Sequence, residues 1–110
     1  MKHFLFLIRG GDENFGKLSP EDFQKHMEKW GVYMEKVKAE GFPLENEGNV
    51  LSGASSVLTN GPFAEGVEVV GGYLLLPARD LAHATELAKE CPVLEMDGTV
   101  EIRPVAAMPG

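Results

Sequence analysis

Val67-Glu68-Val69-Val70-Gly71-Gly72-Tyr73-Leu74-Leu75-Leu76 is the stretch on which the fold turns. Rich in β-branched and apolar residues, it reads as the longest strand of the chain, interrupted in its middle by Gly71 and Gly72. Val67, Val69, Tyr73 and Leu75 alternate with Val70, Leu74 and Leu76, so both faces are apolar, as expected of a strand inside a sheet. His3-Phe4-Leu5-Phe6-Leu7-Ile8-Arg9 repeats the pattern, with Phe4, Phe6 and Ile8 on one face and Leu5 and Leu7 on the other. Two strands of this kind require weaker strands at the edges.

The rest of the chain supplies them. Residues 10–18 carry loop chemistry, three glycines with Asp12, Glu13 and Asn14. Ser19 then predicts an N-cap, with Pro20 at the first helical position and acidic residues in the first turn. Phe23, Met27, Trp30, Met34 and Val37 recur at steps of four and three, an apolar stripe that Gly41 should end as a C-cap. Residues 42–53 form a mixed connector with room for a short irregular hairpin. Residues 55–59 read as a short strand, and Asn60-Gly61-Pro62-Phe63 as a turn. Asp80 can cap a second helix with Leu81, Ala84, Leu87, Ala88 and Cys91 inward and Pro92 as its stop. Residues 99–105 form a last strand, which Pro104 confines to a sheet edge.

The order β, α, β, β, α, β over residues 1–110 predicts a single α+β domain of ferredoxin-like topology, with an antiparallel sheet whose first and third strands are central. Both helices then cover one sheet face and leave the other bare. Because the first and third strands are apolar on both sides, the bare face is an apolar patch of the kind that monomers rarely expose, so a homodimer through the sheet faces is expected.

Charge narrows the function classes. Seventeen acidic against ten basic residues give a net charge of −7, which repels phosphate backbones and anionic bilayers. The lysines of the first helix alternate with glutamates, as on a solvated face. Nucleic acid and membrane are therefore not expected partners. The apolar run at the N-terminus is too short for a leader or a span, and the single Cys91 fits a reducing compartment, so a cytoplasmic protein is expected. No grouping of His, Cys, Asp and Glu has metal-ligand spacing, and no phosphate-binding or dinucleotide motif is present, so no cofactor is expected.

Thr59-Asn60-Gly61-Pro62-Phe63-Ala64-Glu65, the following Gly71-Gly72-Tyr73 and the closing Val100-Glu101-Ile102-Arg103-Pro104-Val105 resemble the YCII-related family, in particular its DGPF-domain branch. The resemblance spans nearly the whole chain. It implies the dimeric α/β-barrel version of the ferredoxin-like fold, and an enzyme or small-molecule binder in which a His and a carboxylate do acid-base work. It also implies gene-neighbourhood links to sigma factors. The motif's leading Asp is Asn60 here, which removes a carboxylate from that position.

His26, Trp30 and Tyr33 share one side of the first helix. A histidine there can titrate near neutrality beside an aromatic wall, although a structural histidine bonded to a backbone carbonyl satisfies the same pattern. The Asn60 turn has a structural reason for each residue, and it can also rim a pocket and present Glu65 to His26. Arg9 and Arg103 can clamp an anion with their guanidinium forks, or Arg103 can simply pair with Glu101 or Glu68. The expectation is cofactor-free acid-base chemistry on a small acidic or aromatic molecule. His26 and Glu65 would be catalytic, and Arg9, Trp30, Tyr33, Asn60 and Arg103 would bind substrate. The alternatives are a non-catalytic small-molecule-binding module or a protein-interaction module linked to transcription regulation.

Overall fold

The computed structural model describes residues 1–11, 14, 16–45, 50, 51, 57, 58 and 70–107. Strand β1 (Lys2–Arg9) lies at the centre of the main sheet, antiparallel to β5 (Val70–Ala78) on one side and to β6 (Thr99–Pro104) on the other. Strand β2 (Glu40–Pro43) closes the far edge beside β5, giving the order β2-β5-β1-β6. Helix α1 (Pro20–Val37) joins β1 to β2, and helix α2 (Leu81–Ala88) with a short 3₁₀ helix (Pro92–Met96) joins β5 to β6. This is the ferredoxin-like βαββαβ topology.

The two-residue period of β1 sets the layers. Phe4, Phe6 and Ile8 face the helices and stand opposite Leu76, Leu74 and Gly72 of β5. Phe4, Phe6 and Leu76 are fully buried, each worth about 1.5–3 kcal/mol of transfer free energy. Ala78, Ala84, Ala88, Cys91 and Val93 complete the core, small side chains that let α2 and the 3₁₀ helix approach the sheet closely. Leu5 and Leu7 point to the other face, opposite Leu75 and Tyr73, and there they remain partly exposed. Pro104 sits on the edge strand, and Val105 N–H resumes the ladder by donating to His3 O at 3.0 Å.

The second strand of the sheet is β2, not residues 55–59. Val57–Leu58 (β4) pairs instead with Val50–Leu51 (β3) in a separate two-stranded sheet, so the hairpin expected in the connector uses the segment expected as an edge strand. The first helix also ends earlier than Gly41 suggested: Lys38 adopts a left-handed conformation (φ 58°) and its N–H bonds Glu35 O and Met34 O. Gly41 serves a different purpose. It lies within β2 against β5, where a Cβ would run into the carbonyl oxygen of Tyr73. Helix α2 stops at Ala88, and Cys91 and Pro92 open the 3₁₀ helix rather than close α2. The interruption expected at Gly71-Gly72 is a β-bulge: Ile8 pairs with Gly72 and Arg9 with Val70, leaving Gly71 as the extra residue. The portion of the expected strand at residues 67–69 lies outside the described residues.

Candidate functional site

Helix α1 starts where its sequence says it should. Ser19 Oγ accepts the Asp22 N–H at 3.1 Å and Pro20 occupies the first turn. From that start, the residues turned to the core are His26, Tyr33 and Val37, with Trp30 half-buried. The expected stripe is therefore rotated: Phe23 is 43 % exposed and Met27 46 %. The difference is only about half a residue of helical phase, so Trp30 and Val37 stay inward while His26 and Tyr33 join them.

Under α1 lies a pocket of about 470 Å³. The helix contributes His26, Met27, Trp30 and Met34, β2 and its exit contribute Phe42, Pro43 and Leu44, and Val93 and Met96 close the far end. Gly10 and Gly11, at φ 77° and 86°, turn the chain away from β1 along one wall, a course that a residue with a Cβ resists. β5 contributes Gly71 and Gly72, which expose bare backbone there, together with Tyr73 and Leu74. Among the described residues, no Asp, Glu, Lys or Arg lines the pocket.

His26 is 4 % exposed. The Trp30 indole N–H donates to its Nε2 at 3.0 Å, with the two rings edge to face. Because an indole N–H only donates, Nε2 carries a lone pair and the ring proton resides on Nδ1. Burial lowers the pKa of His26 below its ordinary 6.5; Glu95 opposes the shift and Lys29 adds to it. The side chain is thus a neutral imidazole at pH 7. Surface ion pairs brace this arrangement: Lys29 reaches Glu95 on the 3₁₀ helix at 3.0 Å, and Lys36 reaches Glu90 at 2.9 Å. Asn14 Nδ2 donates to Met96 O at 2.8 Å and fastens the loop after β1 to the same end of the molecule.

The remaining candidate residues separate. Tyr33 is not a pocket residue: its hydroxyl donates to Leu87 O at 2.8 Å, tying α1 to α2, and burial pushes its pKa upward. Arg9 has the strand parity of Leu5 and Leu7 and so projects from the opposite sheet face. There it bonds Glu101 at 2.6 Å, while Arg103 bonds the other oxygen of the same carboxylate at 3.3 Å. Arg103, then Arg9, hold the Glu101 carboxyl below the usual carboxylate range. The sheet thus divides the arginines from His26. Asn60 and Glu65 lie outside the described residues. Cys91 is buried, with its thiol pushed up to about 11 by desolvation, as fits a core residue rather than a nucleophile.

Of the residues expected at the site, His26 and Trp30 line this pocket, whereas its sheet side was not among the expected residues. The signal for Phe42, Pro43 and Leu44 was an apolar triplet directly after Gly41, read as the start of a connector. Among the described residues there is no cluster of His, Cys, Asp and Glu able to hold a metal ion, and no helix long and apolar enough to cross a membrane.

A family model described as the YCII-related domain matches residues 3–109. No curated protein matches the chain.

Proposed function

Because the chain belongs to the YCII-related family, we propose that it is a small enzyme that performs cofactor-free acid-base chemistry on a small organic molecule in the pocket beneath α1. His26 is the proton-transfer group and Glu65 its carboxylate partner. The observation that carries this reading is a nearly buried, neutral histidine on the wall of an otherwise apolar pocket, the setting in which an imidazole is poised for proton transfer at neutral pH. Its place in the DGPF branch rests on the motif at residues 59–65. The working form is a cytoplasmic homodimer that covers Leu5, Leu7, Tyr73 and Leu75 with the same face of a second copy. The buried free thiol of Cys91 is in keeping with a reducing compartment.

One observation favours a second reading, ligand binding without turnover. The Trp30 N–H already occupies the Nε2 lone pair of His26, so a substrate proton reaches that nitrogen only when the indole lets go. A thermal-shift screen of carboxylates, phenols, quinones and lactones, followed by product analysis on the hits, separates the two. His26→Ala should keep the fold and abolish turnover; binding without product in the wild type supports the second reading. Unchanged turnover in His26→Ala removes His26 from the chemistry.

A further inference from the structure

We infer that the pocket under α1 selects an uncharged aromatic molecule and discriminates against its carboxylate counterpart. The inference rests on the reading of that pocket as the functional site, and it narrows the ligand. Three features support it. The described lining offers no charged side chain to meet an ionic ligand, and an unpaired charge taken from water against it loses hydration that these residues do not restore. The two arginines able to grip a carboxylate stand on the opposite face of the sheet and share Glu101. The Trp30 N–H already donates to His26 Nε2, so the indole donor is spent within the helix and is not held out to an anion.

The shape of the lining points to a ring. Trp30 and Met34 supply polarisable surface from the helix side, and Gly71 and Gly72 expose peptide planes from the sheet side. Aromatic ligands gain from both, through edge or offset contacts with the indole and through sulfur contacts with methionine. The volume of about 470 Å³ falls within the range of small-molecule sites.

Trp30 is the single tryptophan of the chain, so its emission reports on this pocket alone. Wild-type protein is titrated with methyl benzoate and with benzoate, following Trp30 emission and thermal stability in the same samples. The ester is expected to change the emission and to bind at least about tenfold more tightly than the acid, a difference of about 1.4 kcal/mol. An acid that changes the emission and binds as well as the ester overturns the charge selection while leaving the pocket as the site. Stabilisation by either compound without a change in emission, or no response to either, overturns the pocket reading itself.

Discussion

Alanine substitutions at two glycines, Gly41 and Gly31, should move stability in opposite directions. Gly41 lies in β2, where a Cβ would collide with the Tyr73 carbonyl oxygen and sit 2.9 Å from Leu74 Cα. Those atoms belong to the backbone of a central strand, so relief requires β2 to move away from β5 and lose part of its ladder. Overpacking costs about 1–3 kcal/mol where side chains can give way, and a backbone obstacle puts Gly41→Ala at the upper end, about 3 kcal/mol. Gly31 lies within α1 on its exposed side, where an added Cβ meets nothing within 4 Å. Gly31→Ala should gain about 1 kcal/mol from helix propensity. For a domain of this size each kcal/mol moves the melting temperature by about 4 °C. The two variants should thus straddle the wild type by about 12 °C below and about 4 °C above. Urea denaturation at one fixed protomer concentration provides the free energies. A Gly41→Ala protein within about 0.5 kcal/mol of wild type would refute the close packing of β2 on β5. A destabilised Gly31→Ala protein would mean that this helix face is covered in solution.

Three further outcomes follow from the same contacts. His26 keeps a folded pKa below 6.5, so the unfolded chain takes up a proton first as pH falls; stability should decline below about pH 6.5 and level off beneath the folded pKa. Urea midpoints across that window should show the slope in wild type and lose it in His26→Gln, and an equal slope in both would assign it to another group. The lowered pKa of Glu101 places its own loss of stability further down, below 4.5. Tyr33→Phe removes the bond to Leu87 O and should cost about 1 kcal/mol in urea titrations, yet leave ester binding at Trp30 unchanged; altered binding would place Tyr33 in the pocket. Leu75→Lys sets a charge on the open sheet face and should convert the proposed dimer to monomer in sedimentation runs, whereas an unaltered dimer would locate the interface elsewhere.

How much was legible in the sequence depended on how much each segment buries. β1 and β5 are apolar on both faces because they are central, and they stood out at once. Pro104 announced the opposite edge. β2 carried no such signal: four residues, Glu40–Pro43, mostly exposed, hold their place through backbone pairing and the absence of a Cβ at Gly41. The apolar residues Val57 and Leu58 had the composition of an edge strand but pair within their own hairpin. In the site, i,i+4 spacing was enough to join His26 to Trp30. The step to Tyr33 carries that residue beyond the pocket to α2, which spacing along a single helix does not disclose. Arg9 could have been placed from its parity with Leu5 and Leu7; that parity assigns it, with Glu101 and Arg103, to the face away from the helices.

The junction between β2 and β5 separates architecture from everything appended to it. Pro43 pairs directly with Gly72, and Leu44 N–H donates to Gly71 O at 2.9 Å, so the two strands are already fastened where residues 44–69 depart and return. A short turn would satisfy the sheet. Closing a longer excursion costs little, about 0.6 kcal/mol for each doubling of its length, and that places few demands on its sequence. The four-stranded frame therefore sets its own register at the Pro43–Gly72 pair and the Leu44–Gly71 bond, whatever the length of chain between them.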